Sequence, residues 1–138
     1  MAFLLDTNVY SELLKGQPRC NPRVWAWYEA ADEDELYLSV LVLGEMRQGV
    51  ERRRRKDLVA ARSLEKWLHE TETLYRRRII PVTQEICDIW GRLAATTPIP
   101  VVDCLMAATA VHLNLIVVTR NVRDFQRCGV DFINPFED

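Results

Sequence analysis

Asp6 ends the apolar run Ala2-Phe3-Leu4-Leu5, and Glu45 lies just inside a helical pattern that opens at Ser39. Asp103 heads an Ala-rich stretch, while Asn121 and Asp124 follow the apolar segment Leu115–Val118. Asp6, Glu45, Asn121 and Asp124 thus come at, or soon after, the end of a segment that reads as a buried strand, and Asp103 comes at the start of a helix. In open parallel sheets, sites form outside the carboxyl ends of the strands, so groups from these four places can meet in one pocket. Two carboxylates about 5 Å apart repel by roughly 3 kcal/mol at an effective dielectric of 20. A pocket holding several of them must take up protons or cations. An oxygen-only set favours hard Mg²⁺ or Mn²⁺, which keeps waters for a phosphate group. The chemistry this predicts is metal-assisted phosphoryl transfer with an activated water.

Each residue alone has a plainer reading. Asp6 can cap the next helix, Glu45 can be an exposed helical acid, and Asp124 a surface acid. Asp103 can be a helix N-terminal charge facing the macrodipole. The joint pattern carries the inference, and the rest of the chain offers little competition. Neither a Walker nor a dinucleotide glycine loop occurs, and no G-x-S-x-G elbow. His69 and His112, the only imidazoles, both fall in helical segments. Cys20, Cys87, Cys104 and Cys128 are scattered, which reads as reduced packing thiols and a cytoplasmic protein.

The 138 residues fit one domain, 1–138, with no apolar run long enough to span a membrane. With 18 basic and 20 acidic residues, the net charge of −2 argues against one broad basic nucleic-acid surface. Charge is nevertheless concentrated locally. Arg52, Arg53, Arg54, Arg55 and Lys56 form one basic run and Arg76-Arg77-Arg78 a second. Each reads either as a solvated, salt-bridged face or as a grip on RNA phosphates beside the acidic pocket.

The elements that must position the acids alternate between strand and helix. Strands are expected at 2–5, 36–38, 78–82, 115–118 and 132–133, and Pro81 marks the third as an edge strand or as a strand end. A short helix runs from Val9 to Gly16, and Asn21-Pro22 starts the next. Asp32–Glu35 reads as a solvated loop. The helix capped by Ser39 is expected to loosen or end near Gly49, and the longest helical pattern covers Arg52 to about Tyr75. Thr83 caps another helix, Thr97–Pro100 is a loop, and the Ala-rich helix opens at Asp103 and ends near Asn114. Gly129 terminates a short helix reaching Cys128. The expectation is an α/β protein with three layers and a mainly parallel central sheet.

The blocks Leu4-Leu5-Asp6-Thr7-Asn8-Val9, Ser39 through Glu45, Pro100-Val101-Val102-Asp103 with Ala107-Ala108-Thr109-Ala110, Val118-Thr119-Arg120-Asn121 with Asp124-Phe125, and Asn134-Pro135-Phe136 stand in a consistent order. Together they resemble the PIN-domain ribonucleases, and in particular the VapC-type toxins, including the FitB-like branch. The resemblance implies a three-layer α/β/α fold, usually homodimeric, and a Mg²⁺- or Mn²⁺-dependent endoribonuclease. It also implies structured RNA, such as transfer or ribosomal RNA, as substrate and a small VapB-like antitoxin as partner. By position it makes Asp6 and Asp103 the principal metal ligands and Glu45 the third acid. The fourth acid of the family falls where this chain has Asn121 and Asp124. Many relatives carry Asp at the first of these, so either Asp124 supplies the charge or a second metal site is weak. Thr7, Asn8, Thr119 and Asn121 complete the candidate pocket.

The acidic pocket also predicts a mode of inhibition, in which an arginine of the antitoxin tail pairs bidentately with two carboxylates. Trp25 and Trp27 read as core packing, with an antitoxin groove as the alternative. Two other classes compete. A haloacid-dehalogenase-type phosphohydrolase wants a second Asp two residues after Asp6, where this chain has Asn8. A non-catalytic RNA- or protein-binding module of the same fold would have no need of four acids.

Overall fold

In the computed structural model, which describes residues 1–137, five short strands form one sheet in the order β3-β2-β1-β4-β5. The strands are β1 (Phe3–Leu5), β2 (Leu36–Ser39), β3 (Ile79–Ile80), β4 (Ile116–Val118) and β5 (Phe132–Ile133). All four pairings are parallel. This is the expected α/β architecture, and β3 lies at an edge and ends just before Pro81. The last residue of the expected 1–138 unit, Asp138, lies outside the described residues.

Parallel pairing needs crossover helices on the sheet faces, so the central strands read as continuous apolar runs. Leu4, Leu5, Leu36, Leu38, Val117 and Val118 are all fully buried accordingly. The helices are α1 (Thr7–Leu14), α2 (Pro22–Ala30), α3 (Val40–Arg54), α4 (Leu58–Leu74), α5 (Gln84–Thr96), α6 (Val101–Leu113) and α7 (Val122–Arg127). Their starts follow the sequence signals. Asn21 and Thr83 cap α2 and α5 with their side-chain oxygens, and Ser39 accepts from the Leu41 amide at 3.1 Å. Gly129 takes a φ of +71° just beyond α7, the left-handed conformation that glycine adopts without steric cost. Trp27 meets Phe3 edge-to-face at 5.3 Å, and Trp25 and Trp27 pack half-buried against the core.

Two expectations need correction. Gly49 does not end its helix, and α3 continues through it to Arg54. The long pattern from Arg52 to Tyr75 is therefore not one helix. Arg52–Arg54 form the last turn of α3, where cations oppose the negative end of the helix dipole. Asp57 then accepts from the Ala60 amide at 3.0 Å and starts α4. A helical hairpin results, with α3 packed along α4. Two further segments are more ordered than read: Glu33–Glu35 and Arg76–Arg78 are single 3₁₀ turns, and the latter shortens β3.

Arg78 also has a structural role. Its guanidinium donates to the carbonyls of Glu33 at 2.7 Å, Leu36 at 2.8 Å and Leu74 at 3.2 Å, and stacks over Tyr75. It therefore ties the segment before β2 to the end of α4, and is already committed to backbone acceptors.

Candidate active site

Asp6 follows β1 directly and is only 5% exposed. Its amide donates to the Val118 carbonyl at 2.9 Å, so the end of β1 is tied to the end of β4. Its carboxylate accepts from three donors: the Thr7 amide at 2.8 Å, the Thr119 hydroxyl at 2.7 Å and Asn8 Nδ2 at 3.2 Å. Burial pushes the carboxyl above its ordinary pKa, while those donors pull against it and the charge of Glu45 adds to the rise. Asn8 also accepts from the Arg120 amide at 3.1 Å, which fixes the loop after β4 against the first acid.

Glu45 sits in the second turn of α3, half-buried, and its carboxylate accepts from the Thr7 hydroxyl. Asp103 lies in the first turn of α6, two residues further in than expected, because Val101 rather than Asp103 opens that helix. Its pKa is raised to about 6, first by burial and then by Asp6, Asp124 and Glu45. Among the described residues no Lys or Arg forms an ion pair with Asp6, Glu45, Asp103 or Asp124. Like charges have been gathered and left uncompensated.

Asn121 relieves the second pair of acids. Its amide nitrogen donates to Asp103 at 3.1 Å and to Asp124 at 2.8 Å, and its backbone amide donates to the Thr119 hydroxyl at 2.9 Å. The two acids after β4 and at the head of α6 are thus clasped by a neutral donor. Asn121 thus bridges Asp103 and Asp124, and of the two residues expected at the fourth place Asp124 is the one that carries a carboxylate. All eight residues assigned to the pocket from sequence are brought to the same end of the sheet. The basic run Arg52–Lys56 is not among them and lies at the far end of α3.

The acids sense one another without forming a ready-made cage. Among the described residues no three acids, histidines or cysteines stand close enough to coordinate an ion as they are. The donor set nevertheless fits a hard divalent cation, being all oxygen, mutually repulsive and without a competing basic side chain.

The pattern of the PIN domain matches residues 3–130. The chain belongs to the PIN-domain family. This PIN domain is similar along nearly its whole length to Toxin FitB of Neisseria gonorrhoeae, with 32% identity covering 98% of this chain and 99% of the relative. VapC ribonuclease Y4jK of Sinorhizobium fredii is 33% identical, covering 97% of each. Among solved structures, FitAcB from Neisseria gonorrhoeae superposes with a TM-score of 0.86 at 30% identity, covering 98% of this chain and 99% of that one. VapBC-1 from nontypeable Haemophilus influenzae shares the fold, with a TM-score of 0.72 at 24% identity and coverage of 99% and 100%.

One feature of the PIN domain escaped sequence reading. Thr7 was legible as a turn residue, but its hydroxyl bond to Glu45 crosses from α1 to α3 and joins the third acid to the first. Spacing carries no signal for such a contact.

Proposed function

We propose that this PIN domain is an endoribonuclease, the toxin of a toxin–antitoxin pair, dependent on Mg²⁺ or Mn²⁺ and silenced by a VapB-like antitoxin. The observation that carries the reading is the set of four acids, unpaired with any base, at the carboxyl ends of β1 and β4. Full-length similarity to a curated toxin and a curated VapC ribonuclease, and to the solved FitAB and VapBC complexes, supports the ribonuclease and the antitoxin alike. Structured RNA, such as transfer or ribosomal RNA, and a homodimer are part of the proposal. So is a single catalytic unit spanning the chain. No helix among the described residues is long and apolar enough to cross a membrane, and the cytoplasm is the proposed site of action.

In this mechanism Asp6 and Asp103 would hold the ion, and Glu45 and Asp124 would complete the oxygen set. A bound divalent cation neutralises charge at the scissile phosphate and eases deprotonation of water. Thr7, Asn8 and Thr119 fix the orientation of the Asp6 carboxylate. Thr7 likewise orients Glu45, and Asn121 holds Asp103 and Asp124 together. Water adds in line to phosphorus, an ionised carboxylate of the pocket accepts its proton, the P–O3′ bond breaks, and the departing 3′ oxygen takes up a proton from solvent. The products are a 3′-hydroxyl and a 5′-phosphate. A fluorogenic RNA assay with and without Mn²⁺ tests the proposal. Cleavage by the wild type that is lost in Asp6→Asn and Asp103→Asn, with unchanged circular dichroism, is expected; full activity in either variant overturns it.

A further inference from the structure

We propose that Arg120 is a substrate-binding residue beside the acid pocket, holding the RNA phosphate next to the one that is cleaved, with Phe136 as its positioning residue. The proposal rests on the ribonuclease reading and adds a group that the acids themselves require. Four carboxylates outweigh the charge of one divalent ion, so an RNA strand approaching them is repelled unless a cation outside the set receives it. Arg120 stands where such a cation is needed. It lies between Thr119, whose hydroxyl donates to Asp6, and Asn121, which clasps Asp103 and Asp124. Its own amide donates to Asn8 Oδ1 at 3.1 Å, and Asn8 Nδ2 donates in turn to Asp6. The Arg120 backbone is thus fixed two hydrogen bonds from the first acid.

The side chain is exposed and yet held. Its guanidinium carbon sits 4.5 Å from the centre of the Phe136 ring. That ring is itself fixed, since Phe136 is buried and its amide donates to Asn134 Oδ1 at 3.0 Å. Strands β4 and β5 run parallel, so Arg120 and Phe136 follow them at the same end of the sheet as the acids. Thr119 and Asn121 turn toward those acids, while Arg120 between them turns to the tail. Its guanidinium therefore stands beside the pocket, at a neighbour of the scissile phosphate. Stacking occupies one face of the guanidinium and leaves its N–H edge for phosphate oxygens. Arg120 has no ion pair among the described residues. Glu12, an acid that senses its charge, is bonded instead to Lys15 Nζ and the Asn21 amide. Other arginines lack this combination. Arg78 is committed to three carbonyls, and Arg47 and Arg54 are neutralised by Glu51 and Glu65. Arg123, exposed in the first turn of α7, stacks on no ring among the described residues. A cation that is anchored but not neutralised, beside a pocket built to receive a phosphodiester, fits the next phosphate of the same strand.

RNA carrying a neutral methylphosphonate at one position at a time around the cleaved bond tests the assignment. In the wild type with Mn²⁺, one flanking substitution should raise KM about tenfold, the scale of one charge-assisted hydrogen bond. Arg120→Ala should raise KM for unmodified RNA by a similar factor and leave kcat nearly unchanged. The same methylphosphonate should then cost Arg120→Ala nothing further, because the two changes remove one contact. Arg120→Lys should recover part of the loss, since an ammonium keeps the charge without the planar fork. On an Asp6→Asn background, Arg120→Ala should lower the slope of log affinity against log salt by about 0.7, one single-strand phosphate contact. Phe136→Leu keeps an apolar side chain and removes the ring, so KM should rise about threefold, the scale of an exposed cation–π contact. Arg123→Ala should leave KM unchanged; a rise equal to that of Arg120→Ala would mean general attraction and overturns the assignment. Additive losses from Arg120→Ala and every methylphosphonate, in a protein that cleaves, overturn the assignment alone. So does a fall in melting temperature and kcat with KM and salt slope unchanged, which makes Arg120 a strut for the tail. A wild type that cleaves no RNA overturns the ribonuclease reading and the assignment with it.

Discussion

Around Asp103 the neighbouring charges are Asp6, Asp124 and Glu45, all of its own sign; around Glu65 they are Arg47 and Arg54, of the opposite sign. The two carboxyl groups respond in opposite directions. Asp103 is raised to about 6 by burial and by its neighbours, whereas the arginine hydrogen bonds hold Glu65 below the usual range. Glu65 receives two arginines of α3, Arg47 and Arg54, and links the two helices of the hairpin, and Glu51 shares the same pair. Such a surface network is satisfied, solvated and energetically modest. The acid pocket is the reverse: it is unsatisfied in charge and held together by threonine and asparagine donors. The surface charge is paired, while the charge of the pocket, where a cation is proposed to bind, has no ion-pair partner among the described residues.

The largest expected effect comes from removing charge where it is least compensated. Asp6→Asn or Asp103→Asn should lower RNA cleavage by roughly a thousandfold or more, the scale on which preorganised charge acts in catalysis. The same Asp103→Asn variant should melt higher than the wild type at neutral pH without metal, because it removes a carboxylate forced to ionise among acids. A lower melting temperature would mean that Asp103 helps hold the fold together, against the contrast drawn above.

Acidity probes the same difference without mutation. Between its unfolded pKa near 3.8 and its folded value of about 6, Asp103 binds more protons in the folded chain. Stability of the metal-free protein should therefore fall as pH rises through that window. Divalent-ion binding, which competes with the proton, should strengthen over the same interval. Thermal melts across pH 4 to 7, with and without Mn²⁺, should diverge progressively. Parallel curves would detach Asp103 from the ion.

A smaller change is expected at Asn121. Asn121→Asp removes the donor shared by Asp103 and Asp124 and adds another negative charge. Metal-free stability should fall and Mn²⁺ affinity should rise by about tenfold, within the range seen for groups that orient metal ligands. Calorimetric titration measures the second and a melt the first. Smallest of all, Glu65→Gln should move the melting temperature by only about 1 °C and leave cleavage unchanged, since surface ion pairs contribute little. A large loss would place the hairpin network among the main supports of the fold.

Much of this fold could be read from local patterns. Apolar runs marked every strand, and Asn21, Ser39 and Thr83 announced their helices by capping chemistry that acts within three residues. The hairpin was harder. Leu58, Ala61, Leu64 and Leu68 continue the helical spacing that follows Arg52, so periodicity could not separate the end of α3 from the start of α4. Asp57 carried the signal, as a capping residue inside what looked like one helix. The basic run was equally ambiguous, because neither spacing nor composition distinguishes Arg54, paired with Glu65 on the next helix, from neighbours that have no ion pair among the described residues.

The residue types were enough to establish the α/β alternation, the acid after each functional strand end and the family pattern. Those properties depend on neighbours along the chain and on the period of burial. Which acids share a field, which donor clasps them and which arginines stay free depend on groups brought together from as far as Asp6 and Thr119, and electrostatic and hydrogen-bond energies follow distance in space and access to water. The near-neutral total of 18 basic against 20 acidic residues is the plainest case. Only the packing of α3, α4, α6 and α7 sorts that sum into an unpaired acidic pocket and a separate basic rim.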